Sequence, residues 1–249
     1  MRRMSILVSF DGTDFCGWQV QAGLPTIQRS LEKALEIIDG RPVQAMGSGR
    51  TDSGVHALAL CAAFDLENPI SGEKLLKALN RYLPRDIRVN EVRERAARFH
   101  PRHDAVAKTY EYRIWREEVC PPFIRRYVLH HAKPLDEAAM AEAAARYVGE
   151  HDFRAFATVD PLDEGGRSKV RRIFSSEVYR EGGTLTFRVR GSGFLKHMVR
   201  HMVGFLLEVG MGKASPDDLA QLLMDGGAKV SQTAAPWGLT QISVEYPLP

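Results

Sequence analysis

Residues Gly47-Ser48-Gly49-Arg50-Thr51-Asp52-Ser53-Gly54-Val55-His56-Ala57 hold the parts from which a carboxylate nucleophile can be built. Glycines near both ends let the backbone turn tightly and approach a ligand. If Arg50–Asp52 is extended, Arg50 and Asp52 point to one side and Thr51 to the other. A guanidinium beside a carboxylate keeps it ionised and fixes its orientation, as a carboxylate that attacks carbon requires. A turn in which Asp52 caps its neighbours and Arg50 makes a structural ion pair uses the same residues equally well.

Other chemistries fit poorly. Asp52-Ser53-Gly54 has the triplet of an aspartic protease, but that mechanism needs two aspartates sharing a proton and the chain has no second such triplet. Asp11-Gly12-Thr13 lacks the aspartate two residues earlier that a phosphotransferase loop would need; Ser9 stands there. Neither Ser53 nor Ser192 has the glycine spacing of a serine-hydrolase elbow, and there is no phosphate-binding or dinucleotide glycine loop. His197 and His201 are one helical turn apart, but Met198 stands where a zinc protease has glutamate, and no cysteine or acid lies at ligand spacing. No metal or cofactor is expected.

Three further positions could serve a substrate. Lys108–Trp115 alternates, with Tyr110, Tyr112 and Ile114 on one face, so Tyr110 is either an aromatic wall or ordinary strand core. In a helix predicted over Gly193–Val209, Leu195, Met198, Val199, Met202, Val203 and Leu206 form the buried stripe. Arg200 then lies on another stripe, as a rigidly mounted cation or as part of a solvated face. Trp18, Gln19 and Gln21 follow the first strand, where they touch a ligand or Trp18 pins the loop to the core.

The charge distribution is uneven. The whole chain of 249 residues carries only +3, but residues 167–200 hold nine Lys/Arg against two acids, and residues 93–133 hold ten against five. The remainder is therefore acidic, at −9. Such segregation is the footprint of a phosphate-backbone binder, though solvated strand and helix faces also produce it. With 44% hydrophobic and 26% charged residues, disordered and collagen-like chains are excluded. Cys16, Cys61 and Cys120 are scattered and odd in number, which suits a reducing compartment. No apolar run approaches the roughly 20 residues of a membrane helix, and the first residues lead into a strand rather than a signal peptide. A soluble, cytoplasmic protein is expected.

These residues must be positioned by strands over Arg3–Phe10, Leu58–Asp65, Ile87–Arg95, Lys108–Trp115, Ile173–Arg180, Leu185–Arg190 and Gln241–Tyr246, with a short extended piece at Val43–Met46. Helices are predicted over Thr26–Asp39, Glu73–Tyr82, Leu135–Val148, Gly193–Val209 and Pro216–Met224. Glu181-Gly182-Gly183-Thr184 signals a hairpin. The pattern is that of an α+β protein: two related α/β halves, 1–103 and 104–249, forming one largely antiparallel sheet flanked by helices, with a basic cleft between them.

The ordered segments Phe10–Gln21, Gly49–Ala57, Phe99-His100 through Tyr112, Gly149–Phe153, Val170–Ile173, Gly193–Arg200, Val209–Lys213 and Gly238-Leu239 together resemble the tRNA pseudouridine synthase A (TruA) family. The resemblance implies isomerisation of uridine to pseudouridine at positions 38, 39 and 40 of the tRNA anticodon stem-loop, by a cofactor-free homodimer. It places the family's nucleophilic aspartate on Asp52, its paired arginine on Arg50, the tyrosine at the target base on Tyr110 and a cationic helix residue on Arg200. The chain departs from the family at Ser53, where alanine is usual, at His201, where asparagine is common, and across Phe99–Ala105; the last two bear on tRNA fit.

Overall fold

The computed structural model describes residues 1–158, 168–225, 230 and 232–247. The chain divides into two compact units, Met1–Val106 with Thr240–Pro249, and Ala107–Leu239.

In the first unit, β1 (Arg2–Phe10) sends Met4, Ile6, Val8 and Phe10 into the core. The helix α1 (Ile27–Asp39) starts where the Thr26 hydroxyl accepts the Arg29 N–H and ends at Gly40 in the left-handed conformation. Its buried residues Ile27, Leu31, Ala34 and Leu35 follow the helical repeat and join the same core. Next come β2 (Met46–Gly47), β3 (His56–Leu66), α2 (Gly72–Tyr82) and β4 (Ile87–Glu94). Antiparallel β1 lies between β3 and β4, and β2 pairs with β3. Ser71 caps α2, which stops at Leu83 before Pro84, where an α conformation would clash with the proline ring.

The second unit runs β5 (Ala107–Trp115), β6 (Leu129–His130), α3 (Glu137–Ala145), β7 (Gly149–Asp152), β8 (Val170–Glu181), β9 (Thr184–Gly191), α4 (Met198–Gly210) and α5 (Asp218–Asp225). The strands β5-β9-β8-β7 form an antiparallel series. β8 and β9 are joined through Gly182-Gly183 as the hairpin signal predicts, and α5 has a capping box: Ser215 Oγ accepts from Asp218 N and the Asp218 carboxylate accepts from Ser215 N. The last strand, β10 (Leu239–Glu245), runs parallel to β3 through Thr240 and Gln241 in the first unit. The mixed composition and largely antiparallel pairing are those of the expected α+β class.

Two helices differ from their predicted spans by three residues or more at one end. α3 is shorter than Leu135–Val148, because Asp136 caps it from within that span, accepting the Ala139 N–H. Its end is set by Tyr147, which is fully buried against the rings of Phe153, Phe156 and Phe187 and donates its hydroxyl to Met202 O. α4 begins at Met198, not Gly193. His197 has φ 61, a left-handed conformation that stops a helix from extending backwards, and its Nδ1 lies 2.8 Å from the Thr158 hydroxyl. Leu195 is consequently half-buried outside the helix, and only the stripe from Met198 onward faces the core.

Candidate active site

Asp52 sits in the loop that leads into β3. Two elements fix its backbone. The first is a β-turn closed by Val55 N–H on Asp52 O at 3.2 Å, with Gly54 at φ 77 in the third position, a conformation that non-glycine residues rarely adopt. The second is the loop after β1. Trp18 N–H donates to Thr51 O at 3.1 Å, Gly54 N–H donates to Phe15 O at 3.3 Å, and the Ser53 hydroxyl donates to the same carbonyl at 3.2 Å. Gly17, at φ 82, lies so close that a β-carbon there would come within 2.6 Å of Thr51 O, 3.1 Å of Asp52 C and 3.2 Å of Ser53 N.

That second loop is itself held from below. Gly17 O and Trp18 O accept the N–H groups of Ile27 and Gln28 at the start of α1, and the Trp18 indole is packed against Gly47 within the core. Of the two roles open to Trp18, the structure thus shows the pin; Gln19 and Gln21 are exposed. Further along, Gly12 N–H donates to Nδ1 of buried His56 at 3.1 Å, and the Asp11 carboxylate closes its own turn by accepting from Thr13 N and Oγ1. The two glycine-bearing segments are therefore one substructure, with Asp52 half-buried on it.

The expected Arg50–Asp52 ion pair is not formed. Arg50 is exposed and, among the described residues, makes no ion pair with Asp52. Alternation along an extended backbone directs both side chains to one side, but a long exposed arginine loses about 2 kcal/mol of rotamer freedom when fixed, more than a solvated ion pair returns. Arg50 instead borders a hollow of ≈ 320 Å³ with Trp18, Gln19, Gln44, Arg102, His100 and His103 among its walls.

In the second unit, Tyr110 is half-buried on β5 and meets Phe194 edge-to-face, with centroids 5.0 Å apart. Tyr112 and Ile114 are buried on the alternation that Tyr110 shares. Burial pushes the Tyr112 hydroxyl well above the ordinary phenol range, against a smaller lowering by the Arg200 charge, so it acts as a proton donor, to Ala235 O at 2.8 Å. Arg200 is half-buried on α4, and its Nε donates to Ala234 O at 2.8 Å, while Ala234 N–H returns to Arg200 O at 3.1 Å. Gly204, one turn on, lies against Gln232 O. Residues 232–235 thus strap this face of α4, and Arg200 is a fixed cation rather than part of a freely solvated face. His201 also meets the strap, through Thr233.

The basic run over 167–200 is partly neutralised. Arg188 pairs with Glu111, and Arg180 pairs with Glu117 and Glu137. Arg172 and Arg190 flank the ring of Phe174, which occupies an irregularity in the β8–β9 register. Gly17 and Phe194 are the site-building residues that sequence reasoning passed over. Both lie inside segments that drew notice, but their roles depend on contacts far along the chain. Among the described residues, no group of three or more His, Cys, Asp or Glu is placed to hold a metal ion.

The sequence matches the tRNA pseudouridine synthase family over residues 6–104 and 143–247. The chain belongs to that family. It is 56% identical to the tRNA pseudouridine synthase A of Solibacter usitatus, across 99% of this chain and all of that protein. It is 42% identical to that of Listeria innocua and 41% to that of a Geobacter species, each over 99% of this chain and the full length of the relative. Membership of this family makes the chain an isomerase, and both glycine-bearing segments around Asp52 lie within the first matched stretch.

Proposed function

We propose that this chain converts uridine to pseudouridine at positions 38, 39 and 40 of the tRNA anticodon stem-loop, with Asp52 as nucleophile. The observation that carries the reading is the double clamp on the Asp52 backbone within a chain of this family. A carboxylate that must reach carbon needs placement to about 3–3.5 Å, and the turn at Gly54 with the close approach of Gly17 supplies a rigid mount.

The reaction breaks the bond from uracil N1 to the ribose and forms one from C5 to the same carbon. The C5 proton is lost to solvent and N1 gains one, so no electrons or groups are imported. Asp52 supplies the carboxylate for this exchange, at the base or at the sugar. A stacked uridine must leave its helix first, which costs a few kcal/mol and is offset by stacking and phosphate contacts. Exposed Arg50, free of an ion pair with Asp52, is suited to stack on a base or clasp a phosphate. In this reading Tyr110 contributes an aromatic wall whose edge is steadied by Phe194, and Arg200 a fixed positive charge toward substrate.

The protein acts as a homodimer in the cytoplasm. Three free cysteines suit that reducing compartment, and no helix of the described residues is long and apolar enough to cross a membrane. The deciding experiment is tritium release from tRNA labelled at uridine C5. Asp52→Ala is expected to abolish release and retain tRNA binding; release that survives the substitution refutes Asp52 as nucleophile. Light scattering across protein concentrations tests the dimer.

A further inference from the structure

The hollow beside Arg50 contains chemistry that Asp52 does not use. Its walls come from the loop after β1, the start of β2 and the segment following β4, and none of its lining residues is acidic. Arg50 and Arg102 are exposed and, among the described residues, take part in no ion pair. Four of the other arginines of this unit are held by carboxylates, Arg2 by Glu94, Arg3 by Asp65, Arg41 by Asp39 and Arg93 by Glu91, whereas the two on this hollow face no acid among its lining. Two guanidiniums on one acid-free concavity give it a positive potential that concentrates anions there.

The wall carrying Arg102 is pre-shaped. Nδ1 of His100 accepts the backbone N–H groups of both Arg102 (3.1 Å) and His103 (3.2 Å), and the Asp104 carboxylate accepts the His100 N–H at 2.9 Å. The two imidazoles lie 4.1 Å apart. Holding the backbone in this tight loop aims Arg102 and His103 without the loop having to order on binding. The floor is equally fixed: Gln28 and Glu32 hold the Ala45 backbone, and Trp18 lies under Gly47. The volume of ≈ 320 Å³ is at the small end of the roughly 300–1,000 Å³ typical of ligand pockets, a fit for one nucleotide unit.

We propose that this hollow binds a single nucleotide of the RNA substrate adjacent to the target uridine, with Arg102 and Arg50 clasping its phosphodiester and the exposed amides of Gln19 and Gln44 facing its base or ribose. The inference rests on the reading that the chain acts on tRNA. It adds an RNA-positioning residue, Arg102, which lies fifty residues beyond the Asp52 loop in sequence.

The test measures full-chain binding to an anticodon stem-loop tRNA across a salt series, together with steady-state tritium release. Arg102→Ala is expected to lower the slope of log affinity against log salt by about 0.7–0.9, the loss of one phosphate contact. It should raise KM roughly tenfold and leave kcat within about twofold. Arg102→Lys, which keeps the charge, should restore the slope and only part of KM. An Ala variant with wild-type slope and KM overturns the subsite, while tritium release by the wild type leaves the catalytic reading standing. A variant in which kcat falls and KM does not move also overturns it. A wild type that neither binds nor modifies tRNA overturns both readings.

Discussion

Gly17 offers a test of whether the Asp52 loop is held by backbone contact from the preceding motif. In Gly17→Ala the new β-carbon would lie 2.6 Å from Thr51 O, where ordinary contact begins near 3.4 Å. Neither partner is a flexible side-chain end, so the Asp52 loop must move by about 0.8 Å, or the Gly17 loop must do so and drag Trp18 with it. A misplacement near 1 Å at a reacting group costs about 10²-fold in rate. Alanine at φ 82 adds about 1–2 kcal/mol of backbone strain. Gly23→Ala separates the two effects, because Gly23 has φ 74 but nothing within 4 Å of its β-carbon position. The strain should cost each variant about 1–2 kcal/mol in thermal unfolding, some 2–8 °C for a chain of this size, and the clash should add to that loss in Gly17→Ala. Only Gly17→Ala should lose about 10²-fold in kcat for tritium release, with tRNA affinity within a few-fold of wild type. If the two variants have the same kcat, the close approach does not position Asp52 and the clamp argument fails.

Two other perturbations address the remaining groups. Tyr110→Phe keeps the ring against Phe194 and removes the hydroxyl, whereas Tyr110→Leu removes both; if the phenol takes part in proton transfer, Phe should cost roughly 10²-fold in kcat, and a wild-type kcat in Phe with a loss in Leu would leave the ring as the only contributor. His100 has its pKa lowered below 6.5, first by desolvation and then by the neighbouring His103, so the unfolded chain binds its proton more readily than the folded one. Stability from this group is present above pH 6.5 and is lost as pH falls below that value, so denaturant midpoints should fall between neutral and mildly acidic pH, and His100→Gln should flatten that dependence. A dependence of unchanged steepness in His100→Gln would assign the effect elsewhere.

Much of the fold could be read locally because its signals are local. The Thr26 cap, the Ile27–Leu35 stripe and the Gly182-Gly183 turn each lie within a few residues of what they determine. The failures are of one kind. Tyr147 ends α3 because its ring is claimed by Phe153, Phe156 and Phe187, and His197 starts α4 because its imidazole meets Thr158, thirty-nine residues earlier. In both places the periodicity of Ala-rich or apolar residues continues past the true boundary, so tertiary contact overrides propensity. The two-residue strand β6 and the four-residue β7 are too short to show an alternation at all.

At the candidate site, the Arg50–Asp52 pairing was not legible. Adjacent opposite charges in Arg50-Thr51-Asp52 invite an ion pair, yet the structure leaves the arginine exposed on the rim of an acid-free hollow and fixes the aspartate by backbone contacts instead. That division suits the proposed chemistry better than the pair would. A guanidinium committed to Asp52 would lower the carboxylate's nucleophilicity and would have to be released before it could meet an incoming phosphate or base. In the proposed function, with the aspartate's position set by Gly17, Trp18 and Gly54, the arginine is left to meet substrate, and its conformational cost is offset by substrate contacts on binding. The same logic separates Arg50 from Arg200, whose Nε is already held on Ala234 O. If both cations serve substrate as proposed, one is pre-positioned and the other recruited, so in tritium-release kinetics substitutions at Arg200 should act mainly on kcat and those at Arg50 on KM and kcat together.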